Sequence, residues 1–222
     1  MGAQKRREQA RSVKHFGCHD FLVSEKMKTH TETQFLTWAG DYGIGIDSSY
    51  PQLAILAFIP DPDCDRFWEF PVQPERRPYF IASMLEGMGD WKSCFVWRHV
   101  GSWPTRPEPL RLNDRIEFQI LRGTGLPLGT ADVIEFDRTE TDALITLVFS
   151  TSIFGWSVNE DLYIVPNTGR YIVKTDHHGV IHVSFRGSDD IHAFMRFMAE
   201  RGFILPNELQ DVTFKRPKWM KE

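Results

Sequence analysis

Between residues 162 and 186, three short stretches rich in apolar and β-branched residues are separated by two turn sequences. The stretches are Leu162–Val165, Arg170–Lys174 and Val180–Arg186. The turns are Pro166-Asn167-Thr168-Gly169 and Asp176-His177-His178-Gly179. Proline presets φ, asparagine and aspartate bond their own backbone, and glycine accepts positive φ, so each tetrapeptide can reverse the chain. Short runs bounded in this way pair as antiparallel hairpins. The segment therefore predicts a β-meander, which commits the chain to an antiparallel sheet.

Other stretches extend that sheet. Tyr42–Ile46 and Leu53–Ile59 predict two short strands around Asp47-Ser48-Ser49-Tyr50-Pro51, and Arg66–Phe70 predicts another. Ser93–Val100 and Asp132–Asp137 predict two more. Arg115–Leu121 alternates Ile116, Phe118 and Ile120 with Arg115, Glu117 and Gln119, the period of a half-wet strand. Ala143–Ser150 reads as a buried strand, and Thr29–Thr33, rich in β-branched polar residues, as loop and edge strand. Two helices are expected. One covers 79–88, with Phe80, Met84 and Met88 at four-residue spacing and Pro78 near its first turn. The other covers 189–201. Ser188 is its expected cap, Asp189 and Asp190 favour its first turn, Ile191, Phe194, Met195 and Met198 form its stripe, and Gly202 ends it.

The fold class predicted is α+β: a mostly antiparallel sheet, meander-like in its second half, with two amphipathic helices packed on it. The 222 residues suffice for one sizeable core. A single domain over 15–211 is expected, with a division into two sublobes near 101–113, where Pro104, Pro107 and Pro109 favour extended backbone. No run approaches the roughly 18 apolar residues of a membrane span. Residues 1–15 lack the apolar stretch of a secretory signal, and Arg6 stands where a myristoylation motif needs serine or threonine. The three cysteines, Cys18, Cys64 and Cys94, include no Cys-x-x-Cys pair. Reduced thiols in a cytoplasmic protein are the expectation, with Cys94 a buried one.

The formal net charge of −4 conceals an uneven distribution. Residues 1–14 carry five basic residues against Glu8, and residues 212–222 carry Lys215, Arg216, Lys218 and Lys221 against Glu222. That leaves 17 of the 26 basic and 28 of the 30 acidic residues in the body, 15–211, a net −11. Such a body repels a phosphate backbone and attracts a basic partner, so polyanions would find sites only at the two basic tails.

Four groupings could carry chemistry. His177, His178 and His182, beside Asp176, have ligand types that zinc accepts, if the turn brings them together. His15, Cys18 and His19 form a looser set next to the basic tail. Asp63, with Pro62, and later Asp90 and Lys92 resemble the Pro-Asp…Asp/Glu-x-Lys pattern of metal-dependent nucleases, in which two carboxylates hold a divalent metal and a lysine serves the attacking water. In that family the two elements sit on neighbouring strands. Asp61, Asp63 and Asp65 alternate like a calcium loop but lack its glycine and later glutamate. Gly123-Thr124-Gly125-Leu126-Pro127-Leu128-Gly129 is glycine-rich, yet its spacing and the strand expected after it do not suit a phosphate cradle. Trp68, Trp91 and Trp103 are candidates for a ligand or protein-binding surface, whereas Phe95 and Trp97 read as core.

No nucleophile elbow, Ser-x-x-Lys or His-Glu-x-x-His motif occurs. The leading expectation is a non-catalytic, cytoplasmic protein-interaction module with an acidic, aromatic-bearing face and no cofactor. Immunity and antitoxin-like proteins exemplify that class. The alternatives are a metal-dependent hydrolase or nuclease, using Asp63, Asp90 and Lys92 or the His177–His182 group, and a small-ligand module with a tryptophan-lined pocket.

Overall fold

The computed structural model describes residues 27–48, 55–60, 65–98, 112–126, 133–154, 161–176 and 179–204. In chain order the elements are β1 (Lys28–His30), α1 (Glu32–Asp41), β2 (Ile44–Ile46), β3 (Leu56–Phe58), β4 (Asp65–Glu69) and α2 (Arg77–Gly87). They continue with β5 (Ser93–Arg98), α3 (Leu112–Gly123), β6 (Val133–Asp137), α4 (Thr141–Phe154), β7 (Leu162–Pro166), β8 (Tyr171–Thr175), β9 (Val180–Phe185) and α5 (Ser188–Glu200). Seven strands form one antiparallel sheet in the order β1-β6-β5-β7-β8-β9-β4, and β2 pairs with β3 in a separate hairpin. The expected α+β class with an antiparallel sheet is what the chain adopts, and β7-β8-β9 is the expected meander. Strands from either side of residues 101–113 interleave, since β5 lies between β6 and β7.

Strand alternation sorts the side chains into two cores, one on each face of the sheet. On one face Cys94, Val96, Ile134, Phe136, Ile164, Val173, Val183 and Phe185 pack with Ile81, Met84, Leu144, Leu147, Phe194 and Met198 from the helices. On the other, Phe95, Trp97, Val133, Tyr163, Val165 and Ile172 pack under Phe35 and Ala39 of α1 and Leu56 and Phe58 of the hairpin. The result is three layers: helices, sheet, and α1 with the hairpin. Within the helical layer α4 lies between α3 and α2, and α2 contacts α5. Gly87 allows that last contact, because a Cβ there would stand 3.1–3.2 Å from the Phe194 and Phe197 rings.

Five helices, not two, occur among the described residues, and two of them replace expected strands. Arg115–Leu121 lies within α3. Its buried positions there are Glu117 and Leu121, four apart as on a helix, while Ile116 is exposed. Arg122 stands in the last turn of this helix and Gly123 is its last residue, both suited to a helix C-terminus. Ala143–Ser150 lies within α4, whose 14 residues exceed a usual strand. A helix apolar around most of its circumference is a buried one, and α4 is covered by the sheet, α2 and α3. The glycine-rich segment from Gly123 accordingly follows a helix.

Thr29–Thr33 divides between two roles. Residues 28–30 form edge strand β1, while Thr31 caps α1. The Thr31 hydroxyl accepts the Gln34 N–H (3.2 Å), and the Gln34 side chain accepts the Thr31 N–H (2.9 Å). At α5 the N-cap is Gly187 instead of Ser188, and the buried Asp190 accepts from the Arg170 guanidinium. Gly202, at φ 79°, ends the helix as expected.

The turn between β7 and β8 ties the layers together. Asn167 accepts the Lys92 N–H on its side-chain oxygen (3.0 Å) and donates its own N–H to the Ser93 carbonyl (2.8 Å). Gly169 has φ 60°, and a Cβ there would lie 2.2 Å from the Tyr42 ring. Gly179, in the next turn, has φ 83° but open space around it. We expect Gly179→Ala to cost about 1 kcal/mol, the left-handed strain alone, and Gly169→Ala at least about 2 kcal/mol. Urea denaturation of the two variants checks this; equal losses would show that Tyr42 yields freely.

Candidate functional site

One row of cross-strand neighbours crosses the whole sheet on the α1 face: His30, Val133, Trp97, Tyr163, Lys174, His182 and Phe67, one from each strand from β1 to β4. Its middle is apolar and lies under α1 and the hairpin. Its β8-β9-β4 end carries Lys174, His182 and Phe67, each half-buried. Phe67 and His182 meet edge to face, with ring centroids 4.5 Å apart.

A second row runs alongside. The β7–β8 and β8–β9 registers, continued by one residue, set Asp161 opposite Asp176 and Asp176 opposite Val180, and Val180 pairs with Glu69. The Lys174 ammonium lies 3.2 Å from the Asp161 carboxylate and 3.6 Å from that of Asp176. Asp161 is fully buried, so Lys174 supplies the opposite charge that a desolvated carboxylate requires. His182 Nε2 is 3.8 Å from Asp176. Burial, and then the Lys174 ammonium, push His182 down to about 4 against the pull of Asp176 and Asp161. The imidazole is therefore neutral at pH 7 and its contact with Asp176 is not an ion pair there. Burial also pushes the Tyr163 phenol up, with Asp161 and Asp176 adding to the effect and the Leu56 backbone opposing it.

Strand β4 limits this face. Asp65, Phe67 and Glu69 project from it on the α1 side, with Asp65 and Glu69 exposed, while Trp68 turns into the helical core. The Phe70 N–H donates to the Gly179 carbonyl directly opposite (2.9 Å). Antiparallel pairs alternate, so the backbone groups of Arg66 and Trp68 face β9 and those of Asp65, Phe67 and Glu69 face outward. Among the described residues β4 pairs with β9 alone.

The sequence-derived candidates fare differently. Of the histidine group, His182 lies at this site, and His177 and His178 fall outside the described residues. Among the described residues no group of three or more histidine, cysteine, aspartate or glutamate side chains is arranged to hold a metal ion. Asp63 and Asp61 are outside the described residues. Asp90 and Lys92 are exposed in the connection before β5, where the Lys92 carbonyl accepts the Arg138 N–H. Strand β5, which follows Asp90 and Lys92, is separated from β4 by β7, β8 and β9. Trp68 packs against Phe194 in the core, and Trp91 is 2% exposed, donates to the Leu85 carbonyl (2.8 Å) and lies beneath the Arg138 guanidinium. Neither indole faces solvent. Trp103, His15, Cys18 and His19 lie outside the described residues, as do both basic tails. Phe95 and Trp97 are core, and burial pushes the Cys94 thiol up.

Sequence reasoning missed Asp161, Lys174, Phe67 and Glu69, and took Asp65 only as part of the calcium-like alternation with Asp61 and Asp63. The alternation Asp65-x-Phe67-x-Glu69 was available, but the neighbours across the sheet that give it meaning are more than a hundred residues away. No helix among the described residues is long and apolar enough to cross a membrane. The fold and site thus define a three-layer α+β protein with a charged, aromatic-bearing sheet edge. No family model, curated protein or solved structure matches the chain.

Two outcomes follow from this geometry. The unfolded chain binds a proton at His182 near pH 6.5, and the folded protein does so only near 4. Stability contributed by the neutral imidazole is complete above pH 6.5 and declines as pH falls toward 4. The loss is about 1–2 kcal/mol after allowing for solvent screening of a side chain about one third exposed. His182→Asn should flatten the denaturation midpoint over that window. Separately, Lys174→Met should cost about 3 kcal/mol by leaving the Asp161 carboxylate without its ammonium, and Asp161→Asn in the same chain should restore part of the loss. A double-mutant cycle in urea measures both.

Proposed function

We propose that this chain is a non-catalytic protein-interaction module that receives a basic segment of a partner protein at the β8-β9-β4 end of its sheet. The observation that carries this reading is the composition of that surface: Phe67 and His182, half-buried, beside Asp65, Glu69 and Asp176. A partly exposed aromatic anchor within an acidic rim suits a partner that brings apolar contact at its centre and positive charge around it. Lys174 is already engaged by Asp161 and Asp176, and Glu69 is exposed on the same face.

The net −11 of residues 15–211 supports the same partner chemistry. Opposite charge raises the encounter rate and disfavours nucleic acid on the body, so polyanions would be confined to the basic ends. A cytoplasmic, immunity or antitoxin-like role is the biological setting that suits such a surface. The buried, reduced Cys94 is compatible with it.

The test compares the wild-type protein with the Asp65→Lys/Phe67→Ala/Glu69→Lys variant, all three positions being at least partly exposed. Wild type should retain a protein of net positive charge that elutes as salt is raised, and the variant should bind it at least about tenfold more weakly. Equal binding of the same partner by both would overturn the assignment.

A further inference from the structure

The chain itself carries a segment with the chemistry proposed for the partner. Lys215-Arg216-Pro217-Lys218-Trp219-Met220-Lys221 places an aromatic and an aliphatic side chain among basic ones. The basic residues of 1–14 have no aromatic companion, and Glu8 stands among them. The surface at the β8-β9-β4 end has the complementary character. Phe67 and His182 are half-buried with their rings in contact, Glu69 is exposed on the same face, and Asp161 and Asp176 share the Lys174 ammonium. We propose that residues 215–221 occupy this surface in cis, with Trp219 against Phe67 and the flanking lysines toward Glu69 and Asp176, so that a basic partner must displace the chain's own segment. This inference rests on the interaction-module reading and names how that site is regulated.

The fold starts the segment close to its target. After α5 the Phe203 N–H donates to the Met198 carbonyl (2.9 Å), and the Phe203 ring meets Phe80 of α2 edge to face at 5.1 Å. Phe80 in turn meets Phe70 at 5.8 Å, and Phe70 directly follows β4. Ile204 therefore stands two ring contacts from the strand that carries Phe67 and Glu69. Strand β4 is also the last of the sheet order, so a path from the helical face to the α1 face rounds that one end. Trp219 is 15 positions beyond Ile204, and an extended connection of that length reaches up to about 50 Å. A compact domain of about 200 residues is roughly 40 Å across, so the reach suffices.

Charge favours this occupant as well. Residues 15–211 carry a net −11, and 212–222 hold four basic residues against Glu222. A ligand tethered to its own site acts at an effective concentration on the order of millimolar, which populates even a weak contact. The same arithmetic favours the cis segment over that of a second copy at micromolar protein. The affinity for a free partner then falls by the fraction of molecules in which the segment is bound.

The test uses the full-length, isotope-labelled protein and its Lys218→Glu/Trp219→Ala/Lys221→Glu variant. Backbone resonances of Phe67, Glu69, Asp176 and His182 should differ between the two, and added salt should move those of the wild type toward the variant. Val96 and Ile164, inside the sheet, should not shift, which checks the fold. A blocked peptide, Lys-Arg-Pro-Lys-Trp-Met-Lys, should shift the same four residues and bind the variant at least about tenfold more tightly than the wild type. Equal affinity, or identical spectra at the four residues, would overturn the cis contact while peptide binding there keeps acidic-face recognition standing. Wild-type shifts that revert to the variant's on dilution would assign the segment of a second copy and overturn it too. If the peptide moves none of the four residues in the variant, the cis contact falls, and the Asp65→Lys/Phe67→Ala/Glu69→Lys comparison decides the interaction reading separately.

Discussion

The rest of the structure depends on the placement of β5 between β6 and β7. Each side chain of β5 is committed to one of two cores: Cys94 and Val96 to the helical layer, Phe95 and Trp97 to α1 and the hairpin. A strand buried on both faces has no wet side to turn outward, so a one-residue slip would exchange its entire packing set. The register of β5 therefore propagates outward. Through β7 and β8 it sets Tyr163 beside Lys174, and through β9 it sets His182 beside Phe67. The turn at Gly169 holds that register, since Asn167 is bonded to the start of β5 while the Tyr42 ring leaves no room for a side chain.

Charge appears where this double covering ends. The α1 layer covers Trp97 and Tyr163, and beyond them the transverse row changes to Lys174 and His182. Desolvation is incomplete there, so charged groups persist, but only as partners: Lys174 between Asp161 and Asp176, and the imidazole neutral beside them. A different solution operates in the helical layer. Arg77 donates to the Pro71 and Ser152 carbonyls (3.0 and 2.6 Å), and Arg138 donates to those of Gly89 and Trp91 (2.9 and 3.0 Å). In both cases a cation of one segment satisfies polar atoms of a distant one. Among the described residues β4 pairs with β9 alone, and the backbone groups of Phe67 and Glu69 face away from it.

Local sequence was sufficient for elements bounded by strong turn residues. The meander was legible because proline, asparagine and glycine punctuate it, and α2 and α5 were legible because their apolar residues recur at helical spacing beside Pro78 or the Asp189-Asp190 pair. Helices α3 and α4 differ from the expected strands for separate reasons. In α4 apolar residues are too frequent for the period to be decisive, and burial on several sides removes the amphipathic contrast. In α3 Ile116, Phe118 and Ile120 happen to alternate with polar residues, while burial follows Glu117 and Leu121, four apart. Helix α1 was overlooked because Thr31 and Thr33 favour extended backbone, and only the reciprocal bonds between Thr31 and Gln34 turn that segment into a cap.

By itself the sequence determined the antiparallel class, the meander and its turns, two of the helices, the buried thiol of Cys94 and the strongly acidic body. These depend on short-range sterics and on summed charge, both of which are properties of the chain before it folds. Tertiary structure alone decided which strand neighbours which, and hence that Phe67 meets His182, that Lys174 lies between Asp161 and Asp176, and that Trp68 and Trp91 fill cores instead of facing a ligand. Those contacts join residues far apart in the chain. Their energies come from desolvation and cross-strand proximity, which exist only once the sheet has formed.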